Sequence, residues 1–226
     1  MKIRRGPAKG FKWIAGSSEH GCWLGTYELP KQNLLERLVR PGMTVYDIGA
    51  QAGFYTLCLS RMVGETGRVF AFEPFADNVR NLLEHVRMNG LSNVRIVQAA
   101  VAGCSGVGGF TTDQNAFGNA LTADDAALLV PTVSLDSLSL PPPDLIKMDI
   151  EGGESEALRG SRRILRENRP VVLVALHGPE YARFCGDFLR SLGYKVLSLS
   201  KQHLEPSLLD GEIYALPELE SATPHG

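Results

Sequence analysis

The sequence lacks the features that would tie it to an oxidising compartment, a membrane or a polyanion. Its four cysteines, Cys22, Cys58, Cys104 and Cys185, lie far apart, with no C-x-x-C pair and no histidine at metal-ligand spacing. They read as isolated thiols and exclude a disulfide framework or a zinc finger. No stretch approaches the ~18 consecutive apolar residues of a membrane span, and no apolar core of a signal peptide follows the basic residues between Met1 and Lys12. Basic residues number 23 and acidic residues 25, a net charge of -2, so no global field draws the protein to nucleic acid or an anionic membrane. Internal repeats and low-complexity blocks are absent as well. A cytoplasmic protein with no nucleic-acid partner and no membrane span is expected.

What is present suits one α/β domain, since 226 residues bury a substantial core and a doubly wound sheet occupies such a length. Thr44 to Ile48 reads as a strand ending at glycine, and Tyr55 to Met62 as a helix. Arg68 to Glu73 is the next strand. Val79, Leu82, Leu83 and Val86 then fall at i, i+3, i+4 and i+7, and Asn89-Gly90 closes that helix. The pattern continues with a strand at Val94 to Val97, an irregular Gly-rich stretch from Gly103 to Asn119, and a strand at Leu145 to Ile150. One helix carrying Ala157, Leu158, Ile164 and Leu165 follows, then the apolar run Val171 to Leu176, typical of a strand buried on both faces. A helix with Tyr181, Phe184, Cys185, Phe188, Leu189 and Leu192 precedes strands at Lys195 to Leu199 and near Ile213. The fold class expected is therefore α/β and Rossmann-like, a mostly parallel sheet with helices on both faces and an antiparallel edge strand. Residues 41–218 form the domain, 1–40 an extension covering the ligand site, and 219–226 a tail.

In such sheets ligands sit beyond the carboxyl ends of the strands. The first strand ends in Asp47-Ile48-Gly49-Ala50-Gln51-Ala52-Gly53, where glycines permit a tight turn and close backbone approach. Twenty residues past Gly53, Glu73 ends the second strand, where a carboxylate can accept hydrogen bonds from both hydroxyls of a ribose that bears no 2′-phosphate. A nicotinamide dinucleotide is disfavoured, because Gly49 is followed by Gln51 and Phe54 where G-x-G-x-x-G needs glycines. The loop spacing resembles the D-x-G-x-G-x-G loop of class I methyltransferases, with Gln51 in place of the middle glycine.

Four blocks extend that likeness: Gly25-Thr26-Tyr27-Glu28, Val45 to Thr56, Phe72-Glu73-Pro74, and Asp144-Leu145-Ile146-Lys147-Met148-Asp149-Ile150-Glu151-Gly152-Gly153-Glu154. Together they resemble the FkbM family of S-adenosylmethionine-dependent methyltransferases, whose K-x-D-x-E-G-x-E signature the last block matches. Leu158-Arg159-Gly160 and Arg169-Pro170 continue the likeness, which covers about residues 23 to 200. It implies S-adenosyl-L-methionine as cofactor. The cofactor-binding set it implies is Tyr27, Glu28, Asp47, Gly49, Ala50, Gly53, Tyr55, Thr56, Glu73, Pro74, Asn78, Gln98, Ala99, Ala100 and Asp149.

Family members are typically O-methyltransferases acting on sugars or secondary metabolites. A small-molecule acceptor of that kind is the implied partner, with a homodimer compatible. Such chemistry needs a group to take the hydroxyl proton, and Asp149, Glu151 and His177 are the candidate catalytic residues. A histidine does this near neutral pH without an extreme shift. Glu154, in a helix's first turn, also has a purely structural use against the helix dipole. Relatives often carry an acid two residues before the histidine, whereas this chain reads Ala175-Leu176-His177. That departure leads to an expectation of no metal requirement. Methylation of nitrogen and a non-catalytic cofactor-binding module are the alternatives. Acceptor recognition is assigned by position to Thr111 to Asn119.

Overall fold

The computed structural model describes residues 1–110, 128–199 and 211–218. Two short N-terminal helices, α1 (His20–Leu24) and α2 (Leu29–Leu38), precede the sheet. Five parallel strands follow in an alternation with helices: β1 (Thr44–Ile48), α3 (Phe54–Val63), β2 (Arg68–Phe72), α4 (Ala76–Met88), β3 (Val94–Val97), β7 (Leu145–Met148), α5 (Glu154–Arg159), α6 (Arg162–Glu167) and β8 (Val171–Ala175). Helix α7 (Pro179–Ser191) leads to β9 (Tyr194–Ser198) and β10 (Glu212–Pro217). The seven-stranded order is β3-β2-β1-β7-β8-β10-β9. The last two strands form the expected hairpin at the sheet's edge, and β10, antiparallel to both neighbours, is its inner member.

Helices cover both faces, so each central strand feeds two cores. Tyr46, Ile48, Ile146 and Val174 point to one core, and Val45, Leu57, Leu145 and Leu173 to the other. This is why those strands read as continuous apolar runs. Chain order reverses between β1 and β7, so the loops leaving these two strands diverge and open a crevice at their carboxyl ends.

Three differences from the sequence reading have local causes. The stretch after Gly103 is not all irregular: β5 (Gly106–Phe110) pairs with β6 (Leu128–Val133), and β6 with β4 (Ala100–Val101), in a separate three-stranded sheet. Gly106, Gly108 and Gly109 carry no strand preference, so only the partner strand forms β5. The single helix expected around Ala157 to Leu165 is two helices. A Cβ on Gly160 would stand 2.1 Å from the Ala102 carbonyl, and Asp136 accepts the Arg163 and Ile164 amide N–H groups at 2.7 and 2.9 Å, starting α6 afresh. In α4 the buried face runs through Val79, Leu82 and His85, while Leu83 is exposed. His85 takes the core position because its ring stacks on Trp13 at 4.0 Å and both its nitrogens find partners.

Candidate functional site

A cavity of about 410 Å³ lies at the carboxyl ends of β1, β2, β7 and β8, within the range of small-molecule sites. Its floor is the turn after β1. Gly49 has a φ of +77° there, and a Cβ would fall 1.8 Å from the Asp149 carbonyl, so only glycine fits between the two diverging loops. Gln51, standing where a glycine was expected, adopts the left-handed conformation itself, with φ +50°. Its side chain accepts a hydrogen bond from Ser18 at 3.2 Å.

At one end Glu73 is buried after β2 and accepts from the Gln51 amide at 2.9 Å, the Phe75 amide at 3.0 Å and the Asn78 side chain at 3.1 Å. Burial pushes its carboxyl above the usual range, and those three donors oppose the shift. Beside it Phe75 and Phe110 meet at 4.8 Å between ring centroids and, with Ala99 and Ala100, make an apolar wall.

Behind the floor, Asp47 and Lys147 are register partners on adjacent strands and so share a face of the sheet. Both are buried, with Asp47 0% and Lys147 3% exposed, and their charged atoms lie 3.1 Å apart. Asp47 also accepts from the Thr56 hydroxyl at 2.6 Å, and the Lys147 ammonium donates to the Gly49 carbonyl at 3.0 Å. Burial opposes the ammonium, but Asp47 and Asp149 outweigh it and hold Lys147 above its ordinary value.

The opposite end carries charge. The ammonium of Lys31, from α2, is 1% exposed and pairs with Glu28 at 2.8 Å, with Asp149 Oδ2 at 3.2 Å and, most closely, with Glu212 at the start of β10. Glu28 has a φ of +46° and accepts from the Tyr55 hydroxyl at 2.7 Å. Burial would raise the Asp149 carboxyl, yet Lys147 and Lys31 hold it below the usual carboxylate range. On the far side of Asp149, His177 places Nε2 3.6 Å from Asp149 Oδ1 and 3.2 Å from Glu151 Oε2. Its Nδ1 lies 2.8 Å from the fully buried Glu154. That hydrogen bond, against the opposing effect of burial, raises the imidazole above its ordinary value, and the charges of Glu154, Glu151 and Asp149 add to it. Glu151 is itself left-handed, with φ +55°.

Of the residues expected from sequence, Tyr27, Glu28, Gly49, Ala50, Tyr55, Glu73, Pro74, Asn78, Ala99, Ala100, Asp149, Glu151 and His177 line this one cavity. Asp47, Gly53 and Thr56 stand behind the floor and support it. Gln98 is a correction: the Ala99 amide bonds back to the Val97 carbonyl at 2.9 Å, and this tight turn leaves Gln98 exposed and off the cavity wall. Thr111 to Asn119 and the tail 219–226 lie outside the described residues. Sequence reading missed Lys31, Lys147, Glu212, Phe75 and Phe110. Lys147 sits inside the signature block, but nothing local marks Lys31, which reaches Asp149 across 118 positions. The reading of no metal rested on Ala175. Among the described residues, Asp149, Glu151 and His177 nevertheless bring one ligand atom each within 4.8 Å of one another, without residue 175.

Residues 47–196 match the methyltransferase FkbM domain family. The chain belongs to that family. In fold it is similar to the FkbM methyltransferase of Methylobacillus flagellatus, with a TM-score of 0.59 at 20% identity, covering 88% of this chain and 55% of that one. It is also similar to a precorrin-6y C5,15-methyltransferase of Geobacter metallireducens, with a TM-score of 0.56 at 17% identity, covering 92% and 94% of the two chains. Curated relatives match over shorter stretches. Protein-L-isoaspartate O-methyltransferase 1 of Arabidopsis thaliana is 34% identical over 59 residues, 26% of each chain. A ribosomal protein L11 methyltransferase of Caldanaerobacter subterraneus is 34% identical over 79 residues, 33% of this chain and 24% of its own. The chain thus spans about a quarter of the length of these relatives. Among the described residues, no helix of this FkbM-family chain is long and apolar enough to cross a membrane.

Proposed function

We propose that this chain transfers a methyl group from S-adenosylmethionine to a hydroxyl of a small acceptor, such as a sugar or natural product. The observation that carries the reading is a single cavity with a buried carboxylate, Glu73, at one end and the Asp149, Glu151 and His177 group at the other. The donor set fits the cofactor. Glu73 would take the ribose hydroxyls, Phe75, Ala99 and Ala100 the adenine, and the floor at Gly49 and Ala50, with Tyr27 and Glu28, the methionine portion. The bound cofactor supplies an electrophilic methyl on a sulfonium.

The remaining work falls to the protein. Methyl transfer needs the acceptor oxygen in line with the sulfonium carbon, water excluded and the hydroxyl proton removed. Residues 1–40, through Ser18, Cys22, Tyr27 and Glu28, would close one side of the cavity as an extension of the domain. Asp149, held ionised by Lys31 and Lys147, carries negative charge toward the sulfonium. Glu151 and His177 stand where the acceptor enters and are the groups that would take its proton. A second reading, transfer to nitrogen, draws support from the carboxylates Glu151 and Glu212 at this end, which suit an amine.

Calorimetric titration with S-adenosylhomocysteine tests the cofactor assignment: saturable binding is expected, and well-folded protein that binds none overturns it. With an acceptor in hand, Asp149→Asn is expected to abolish turnover while homocysteine-product binding persists.

A further inference from the structure

We infer that Asp149 Oδ1, Glu151 Oε2 and His177 Nε2 form a binding site for a divalent transition-metal cation such as Mn²⁺, an inference that deepens the proposed function and rests on it. Three observations converge. The first is ligand geometry. An octahedral cation with ligands at ~2.1 Å holds them ~3.0 Å apart when adjacent and ~4.2 Å when opposite. The imidazole Nε2 is 3.2 Å from Glu151 and 3.6 Å from Asp149, and the whole set fits within 4.8 Å, so small side-chain rotations close it on an ion.

The second is how the histidine is held. Imidazoles that ligate metals nearly always give their other N–H to a carboxylate, which fixes the tautomer and aims the free nitrogen. Here Glu154, 0% exposed, lies against Nδ1 of His177, so that Nε2 is the nitrogen facing the two carboxylates. The second oxygen of Glu154 is buried with no hydrogen-bond partner among the described residues. A carboxylate placed in the interior on such terms carries a desolvation cost that ordinary packing does not offset. Lys31, for its part, engages Oδ2 of Asp149 and leaves Oδ1 turned toward the histidine.

The third is charge. With Asp47 and Lys147 paired to each other, this end of the cavity gathers Glu28, Asp149, Glu151 and Glu212, with Glu154 buried behind them, against the ammonium of Lys31 and the imidazole of His177. The sulfonium of a bound cofactor would bring one further positive charge, and the remainder calls for a cation. Two carboxylates and one imidazole match the middle of the first transition row better than Mg²⁺, which prefers oxygen alone, or a soft thiolate-seeking ion. Three protein ligands leave positions for water and for an acceptor oxygen, whose proton then falls to the second carboxylate oxygen of Glu151, because both nitrogens of His177 are engaged once the ion is bound.

The test uses the full chain, stripped with a chelator, dialysed, saturated with S-adenosylhomocysteine and titrated with Mn²⁺ by calorimetry. Pulsed electron paramagnetic resonance of the bound Mn²⁺ reads nitrogen coupling from a coordinated imidazole. One equivalent of Mn²⁺ with such coupling is expected. Glu151→Gln and His177→Gln should each weaken binding at least 10-fold, and Glu154→Gln about 10–100-fold. Glu151 is 52% exposed, so its variant keeps the fold. Intact S-adenosylhomocysteine binding without saturable Mn²⁺, Zn²⁺ or Mg²⁺ binding refutes the site and leaves its carboxylates to an ammonium-bearing acceptor. Mn²⁺ binding unchanged in Glu151→Gln, or without nitrogen coupling, refutes it as well. If the homocysteine compound itself fails to bind, the cofactor reading falls, and Mn²⁺ titration of the free chain still decides the metal question.

Discussion

Replacing Asp47 with asparagine perturbs the pair beneath the cavity floor with almost no change of shape. Asp47 is 0% and Lys147 3% exposed, and they stand 3.1 Å apart, so solvent screens the pair little. Removing one partner of a buried pair typically costs 3–5 kcal/mol, because the other charge is left uncompensated. Lys147 keeps the Gly49 carbonyl at 3.0 Å and the field of Asp149, which places the loss near the lower figure. About 3 kcal/mol is a large share of the 5–15 kcal/mol typical of a domain and lowers Tm by ~6–12 °C in a chain of this length. Chemical denaturation with a far-ultraviolet readout measures it. The informative variant is Asp47→Asn combined with Lys147→Met, which removes both charges. It should cost about 2–3 kcal/mol less than the two single losses added together, since each single change strands a charge and the double change strands none. A loss below about 1 kcal/mol for Asp47→Asn, or strict additivity in the double variant, would show that the pair does not hold the floor together.

His85 gives a pH dependence with a definite sign. Its Nδ1 donates to the Ala52 carbonyl at 2.7 Å and its Nε2 accepts from the Ile14 amide at 2.9 Å, so only the neutral ring satisfies both, and burial lowers its pKa. The stability it contributes is present above its unfolded value of about 6.5 and is lost as pH falls below that, by at most about 1.4 kcal/mol per pH unit. Denaturation at pH 7.5 and 5.5 should show a smaller difference for His85→Gln than for the native chain; equal differences would exclude His85 as the source. For the cofactor, Glu73→Ala should weaken S-adenosylhomocysteine about 10–100-fold, the value of one hydrogen bond to a charged group. Adenosine should lose affinity by a similar factor, and an unaffected adenosine titration would remove the ribose from Glu73. Phe75→Ala, which deletes half of the aromatic wall, is expected to weaken both ligands about 10-fold by calorimetry.

Strand positions and the Gly49 and Glu73 elements were legible in the sequence because their causes are local. A parallel strand covered on both faces must be apolar along its length, as Val171 to Ala175 is. The turn after β1 needs glycine wherever the chain leaves the strand, and the acid that closes β2 follows at a fixed distance. The signature block likewise carries Asp149 and Glu151 two positions apart in one loop. Helix breaks and the face of α4 were not legible, because Gly160 answers to the Ala102 carbonyl and His85 to Trp13, and neither partner is near in sequence.

The chemistry of the site divides the same way. By itself the sequence determined the alternation of strands and helices in the main sheet and the family, since these depend on periodicity and on short blocks. Only the tertiary structure decided that Lys31 neutralises part of an acidic cluster and that Gln98 turns away. It also decided that His177, with Ala175 where the family resemblance led to the expectation of an acid, takes its carboxylate partner from Glu154 in α5. Charges assembled from α2, β10 and the loops that follow β7 and β8 interact through space, and their separation along the chain leaves no periodic trace for a sequence to display.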